Sequence, residues 1–172
     1  LISFVIILIF FSTLQAKNFD KAESISDYFS GTLLLNQSKY NESLKYLKKL
    51  EGLERSHNLY SSKYLYSLIN SGNFNLAINY VKKLERDKKS SFETDLILGI
   101  YYFKNSKFDI SKKFFLKAKK RNARSILDYY VAESLYLWSN LNNLNLEQAL
   151  LEINQLDNRF ENLKNIQTVF LS

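Results

Sequence analysis

The sequence predicts an all-α protein, a right-handed α-solenoid of stacked helix-turn-helix repeats. Three observations support this fold class. The 172 residues include no proline and only four glycines, so the two residues that most disfavour helix interiors are absent or rare. Apolar residues recur at spacings of three and four, which is the spacing of one helix face. A period of 34 residues organises most of the chain and places two helices in each unit.

The first sixteen residues, LISFVIILIFFSTLQA, are mostly apolar and end in a small residue before the charged Lys17. This pattern is typical of a signal peptide cleaved after Ala16. An uncleaved membrane anchor and a buried first helix are the alternatives, since the stretch is short for a bilayer span of about 20 residues. We expect export to the bacterial periplasm or to the outer face of the inner membrane. Residues 17–23 are predicted to be a short linker.

The period is carried by columns of residues that keep their size class. On the second helix of each unit, a small residue is followed by apolar residues four and seven positions later. A small residue lets paired helices approach closely. The columns are Ser43, Leu47 and Leu50; Ala77, Val81 and Leu84; Ser111, Phe115 and Ala118; and, after an insertion of four residues, Ala149, Ile153 and Leu156.

The columns predict four repeats within residues 24–157, at about 24–57, 58–91, 92–125 and 126–157. Residues 158–172 are predicted to form the first helix of a further, incomplete repeat, through Phe160, Leu163, Ile166 and Phe170. Because the helical pattern runs to Ser172 and the chain begins at Leu1, we expect the sequence to be part of a longer protein.

Capping boxes mark the expected helix starts. In each, a serine hydroxyl accepts a hydrogen bond from an amide that the helix start leaves unpaired. First helices are predicted to start at Ser24 with Asp27, Ser90 with Glu93 and Ser125 with Asp128, and one second helix at Ser106 with Asp109.

In the runs YFSGTLLLNQSKYNESLKYLKKL, KYLYSLINSGNFNLAINYVKKLE and LILGIYYFKNSKFDISKKFFLKA the chain resembles the tetratricopeptide repeat family. The resemblance implies a helix-turn-helix unit with small residues at the helix crossing and a concave groove that binds protein or peptide. The family's frequent proline at the unit end is absent. Its early tryptophan is replaced by Asp27, Ser61 and Asp95. The leader with this repeat layout also resembles exported repeat proteins of alphaproteobacteria.

The resemblance assigns a partner-binding groove to the first helices. Aromatic rings there would supply contact area, and amides would bond to a peptide backbone. The alternative is that rings such as Tyr66 and Trp138 pack against adjacent helices. Lys104 is the only cation in the set, so a clamp for a C-terminal carboxylate is not expected. The assigned residues are Tyr28, Thr32, Asn36, Ser62, Tyr66, Asn70, Leu96, Ile100, Lys104, Ser134, Trp138 and Asn142.

A basic patch is the second candidate site in a chain of net charge +7. Such a patch can attract an anionic membrane surface or an acidic partner, and the alternative is a solvated helix face. Aromatic residues among these cations fall on packing columns, so a stacking platform for nucleic acid is not expected. The patch comprises Lys112, Lys113, Lys117, Lys119, Lys120, Arg121 and Arg124.

Residues for catalysis, cofactor binding or metal binding are not evident in the sequence. There is no cysteine, His57 is the single histidine, and the glycines are isolated from one another. No small-molecule substrate is indicated. The expected function is a non-catalytic scaffold or adaptor for a protein or peptide. The alternatives are a structural or assembly component of the cell envelope on anionic membrane, and the substrate-positioning half of an enzyme whose catalytic domain lies beyond residue 172.

Overall fold

A computed structural model describes residues 21–121 and 125–171 of the chain. Within these two ranges every regular element is helical, which confirms the predicted all-α class. The predicted leader, residues 17–20 of the predicted linker and Arg124 lie outside the described residues. The α-helices are α1 Lys21–Asn36, α2 Tyr40–Lys49, α3 Asn58–Asn70, α4 Phe74–Arg86, α5 Phe92–Lys104, α6 Phe108–Lys120, α7 Ile126–Asn140, α8 Leu146–Gln155 and α9 Glu161–Leu171.

The helix starts recur with the predicted period. Steps of 34 residues separate the starts of α3, α5 and α7, and the same steps separate the starts of α2, α4 and α6. The start of α8 lies 38 residues after that of α6, so the four inserted residues fall between the starts of α7 and α8. A longer α7 and a 3-10 helix, Leu141–Asn143, accommodate them. The chain is therefore helical and repeat-like.

The chain divides into two compact units between Tyr64 and Leu65. In the first unit, α1 packs against α2. In the second unit, helices from α4 to α9 pack in consecutive pairs, each against the next along the chain. The core of each unit consequently lies between helices that are neighbours in sequence, as in other helical repeats.

The three second-helix columns lie in these cores. Every residue of the three columns is buried, in all four copies of the pattern. In the first unit they are Ser43, Leu47 and Leu50, and in the second unit they are Ala77, Val81, Leu84, Ser111, Phe115, Ala118, Ala149, Ile153 and Leu156. Because the same positions are buried each time, the period is a packing pattern.

Glycine permits a close crossing between the paired helices in two of the repeats. A Cβ at Gly99 would overlap the ring of Phe115, and a Cβ at Gly31 would lie 2.8 Å from the following helix. The small column supplies hydrogen bonds at the same crossings. Ser111 Oγ donates to the carbonyl of Gly99 at 2.8 Å, and Ser43 Oγ donates to that of Gly31 at 2.7 Å.

The turn inside each of three repeats contains a residue with left-handed backbone. Its φ is 58° at Ser38, 76° at Gly72 and 58° at Ser106. Ser106 therefore lies in the turn, and Lys107 precedes α6 without a side-chain cap hydrogen bond. The predicted capping box of Ser106 with Asp109 is wrong, because the turn needs the left-handed residue at that position.

Serine caps begin α5 and α7. Ser125 Oγ accepts from the amide of Asp128 at 3.1 Å, as predicted. At α5 the cap is Ser91, one residue later than the predicted Ser90. Thr94 Oγ1 accepts from the amide of Ser91 at 2.6 Å, and the Thr94 amide donates to Ser91 Oγ at 3.4 Å. This reciprocal pair selects Ser91 over its neighbour.

Tyr64 is expected to make the first unit sensitive to alkali. Its ring is buried and stacks on Tyr60 at 5.6 Å between centroids. Burial, and then the charges of Glu51 and Glu54, raise the pKa of Tyr64 from 10.0 to about 12. The unfolded chain loses this proton near pH 10 while the folded chain keeps it. The free energy of unfolding should therefore fall between pH 10 and pH 12, by on the order of 2 kcal/mol.

Denaturant unfolding at about pH 8 and about pH 11 tests this assignment. In Tyr64→Phe, the loss of unfolding free energy between the two pH values should be smaller than in the unchanged chain. Tyr46→Phe is the matched control, because Tyr46 is exposed in the same unit. An equal alkaline loss in Tyr64→Phe and the unchanged chain would contradict the account.

Candidate functional site

A first-helix surface recurs in the second unit. Tyr66 on α3 is 50% exposed and Ile100 on α5 is 47% exposed, one period apart in the sequence. One turn further along each helix, Asn70 and Lys104 are exposed as well. Asn70 Nδ2 donates to the carbonyl of Tyr66 at 2.8 Å. Both repeats thus present an apolar side chain followed by a polar one, and these four residues define the first-helix surface. Leu96 of the same predicted set is half-buried.

The predicted groove residues on α7 contact α9. Trp138 Nε1 donates to Oε1 of Gln167 at 2.9 Å. Gln167 Nε2 in turn donates to the Tyr130 hydroxyl at 2.7 Å and to Ser134 Oγ at 3.3 Å. Ser134 is buried, while Asn142 is exposed in the 3-10 helix that follows α7. Trp138 and Ser134 therefore help to seat α9, through a glutamine that sequence patterns did not single out.

The predicted groove residues of the first unit are less open. Tyr28, Thr32 and Ser62 are half-buried, and Asn36 is exposed at the end of α1. The Tyr28 ring lies 5.0 Å from that of His57. His57 precedes α3, and its Nδ1 accepts from a backbone amide in the first turn of that helix at 3.3 Å.

Most described cations of the basic patch bond to helices that neighbour α6. Lys113 and Lys120 are exposed. Burial tends to lower the pKa of Lys119, but its hydrogen bond and charge pairing with Glu133 outweigh burial and raise it. These contacts fasten α6 to α4, α5 and α7. They are Lys117 to Glu85 at 3.1 Å, Lys119 to Glu133 at 2.8 Å, Arg121 to Asp95 at 2.5 Å and Lys112 to Asn140 at 2.5 Å.

Buried carboxylates occupy the column where the family resemblance led us to expect tryptophan. Asp95 is fully buried on α5, and burial raises its pKa while the hydrogen bond and charge of Arg121 oppose the rise. Asp27 on α1, one of its column mates, pairs with Lys49 of α2 at 3.1 Å. Ser24 lies inside α1, so its predicted capping box with Asp27 is wrong. Two repeats therefore place an acid–cation pair at this position.

A shallow depression of about 440 Å³ lies beside the ends of α4 and α6. Within the described ranges, Lys88 and Lys120 make no ion pair. The depression can accept an anionic group of a bound partner, because cations outnumber acids around it. Its lining residues are Glu85, Lys88, Ser90, Lys117, Lys120 and Arg121.

Searches for metal sites and membrane spans in residues 21–121 and 125–171 find neither. No three acidic or histidine side chains there are grouped to hold a metal ion. No helix in that part of the chain combines the length and hydropathy needed to cross a bilayer. No protein-family model matches the chain, and no curated protein matches it. The functional argument consequently rests on the geometry of the described helices.

Proposed function

We propose that this chain is a non-catalytic scaffold or adaptor that binds a protein segment or peptide on its first helices. The observation that carries the proposal is the repeated exposure of Tyr66 and Ile100 at one slot of the repeat. Isolated exposed apolar side chains are common on protein surfaces. Recurrence at one slot is what a repeat protein uses to build an extended binding surface.

In this proposal the helices form a right-handed α-solenoid of the tetratricopeptide type. The 34-residue steps between helix starts support it, as do the buried columns and the glycine crossings. The leader pattern supports export to the periplasm or to the membrane surface facing it. Lys104 next to Ile100 favours a ligand that places an acidic residue beside an apolar one.

An envelope component held on anionic lipid has less support. That function would draw on cations directed to the outside of the molecule. Of the patch residues in the described ranges, Lys112, Lys117, Lys119 and Arg121 bond to neighbouring helices instead. The peptide-binding proposal does not depend on those side chains.

Ile100→Glu is expected to weaken peptide binding about tenfold or more, which corresponds to about 1.4 kcal/mol. The substitution removes apolar contact and places a carboxylate where the ligand is expected to carry an acid. The probe is a peptide enriched from a random phage-displayed library on the immobilised chain. Its affinity for the unchanged chain and the variant is measured by calorimetric titration.

Ile110→Glu provides the matched control. Ile110 is 39% exposed on the second helix α6, and the substitution makes the same change in charge. Its affinity for the peptide should equal that of the unchanged chain, with circular dichroism confirming that both variants fold. A library that yields no enriched peptide, or an equal loss in both variants, would refute the proposal.

A further inference from the structure

One face of α9 is held firmly by the preceding helices. Lys164 is buried, and its ammonium donates to the carbonyls of Asn154 at 2.8 Å and Leu156 at 3.1 Å. It also donates to Oδ1 of Asn158 at 2.7 Å. Gln167 bonds to α7 from the same side of the helix. These contacts fix which side of α9 turns away from α7 and α8.

The side of α9 that turns away is apolar and exposed. Leu163, Ile166 and Phe170 are spaced by three and four residues, which places them on one face. Ile166 is 52% exposed and Phe170 is 76% exposed. A contiguous apolar face of this kind marks an interaction site more often than isolated apolar residues do.

The equivalent face of α5 is covered by α6. Counting back two periods from α9 leads to Asp95, Leu98 and Tyr102. Asp95 and Leu98 are buried there, and Tyr102 stacks on Phe114 of α6 with ring centroids 5.5 Å apart. In a complete repeat of this chain, the second helix is what covers these positions. The structure therefore shows which kind of element fits the face of α9.

We infer that the face of α9 formed by Leu163, Ile166 and Phe170 is a docking surface for a helix with the pattern of this chain's own second helices. That pattern is a small residue followed by apolar residues four and seven positions later, and it is buried in every copy. This surface is separate from the first-helix surface, so the two can be tested independently.

One position distinguishes the docking helix from α6. At the repeat position where α5 carries the buried Asp95, α9 carries Leu163. Arg121, which follows α6, pairs with Asp95. A cation at that place in the docking helix would meet an apolar side chain instead of a carboxylate, so the docking helix should carry an apolar residue there.

A peptide of residues 73–88, which contains α4, is the probe. In α4 the pattern comprises Ala77, Val81 and Leu84, and a staple between the exposed Asn75 and Asn79 would hold the peptide helical without covering it. Fluorescence anisotropy with the complete chain should show saturable binding. A probe with Val81→Glu should not bind.

Variants of the complete chain locate the binding surface. Phe170→Glu should weaken binding of the probe about tenfold or more. Leu151→Glu, at an exposed position on α8, should leave it unchanged. Circular dichroism checks that each variant folds. If Phe170→Glu fails to fold, Ile166→Ser replaces it with a smaller change on the same face.

The inference is overturned if the probe binds Phe170→Glu as tightly as the unchanged chain, or if the Val81→Glu probe binds equally well. It is also overturned if the face serves a different occupant. Sedimentation that shows a dimer lost in Phe170→Glu would assign the face to a second copy of the chain. Binding to phosphatidylcholine vesicles that is lost in Phe170→Glu would assign it to lipid.

Discussion

Replacing Gly99 with leucine is expected to lower the free energy of unfolding by about 3 kcal/mol, the upper part of the range for overpacked cores. Even a Cβ at this position would overlap the ring of Phe115, which is fully buried and has no route to solvent. Separating α5 from α6 to make room would also break the hydrogen bond from Ser111 to the Gly99 carbonyl. Urea unfolding followed by circular dichroism measures the loss.

A double variant tests whether the contact with Phe115 is the cause. Phe115→Ala is expected to cost about 3 to 5 kcal/mol in the unchanged background. In Gly99→Leu/Phe115→Ala the leucine can enter the space that the ring leaves. The combined loss should therefore be smaller than the sum of the two single losses. Additive losses would mean that the two positions do not touch.

Arg121→Gln is expected to lower the free energy of unfolding by about 2 kcal/mol at neutral pH. Breaking a buried ion pair costs about 3 to 5 kcal/mol, because the remaining charge is left without compensation. Asp95 is fully buried, whereas the side chain of Arg121 is about one-third exposed, so a value below that range is expected. Denaturant unfolding at constant ionic strength measures the effect.

Two variants and one change of pH separate this effect from loss of surface charge. Lys117→Gln breaks an exposed pair with Glu85 and should cost less than about 1 kcal/mol. Asp95→Asn/Arg121→Gln should recover much of the lost stability, because it leaves two neutral polar groups. Burial already raises the pKa of Asp95, and removing Arg121 should raise it further.

The sign of the pH effect follows from that pKa. In Arg121→Gln, the folded chain holds the Asp95 proton more strongly than the unfolded chain does. Stability contributed by this proton is present at low pH and is lost as pH rises through the folded-state pKa. The deficit of Arg121→Gln should therefore shrink as the pH is lowered from about 7 toward about 4. A deficit that stays constant over this range would contradict the assignment.

Helix class and period could be predicted because both depend on local spacing. The columns that begin at Ser43 and Ala77 keep small and apolar residues in register with the helix, and packing then buries them. Helix starts were harder to predict where neighbouring residues have the same chemistry. Ser90 and Ser91 are both able to cap α5, and the hydroxyl of Thr94 decides between them.

Contacts between helices could not be predicted from the same patterns. Arg121 is one cation among several in the sequence, and its role depends on a carboxylate 26 residues away on another helix. Trp138 has the spacing of a groove residue, but Gln167 on α9 accepts its indole hydrogen bond. Packing between helices fixes these partners, and one-dimensional spacing carries no record of it.

Site-specific photo-cross-linking is the most direct test of the proposed binding function. A photoreactive residue is placed at position 100 on the first-helix surface, or at position 110 on α6, and the library-selected peptide is added. The account predicts a cross-link from position 100 that saturates and that unlabelled peptide competes away, with none from position 110. Equal cross-linking from both positions, or cross-linking from position 110 alone, would contradict it.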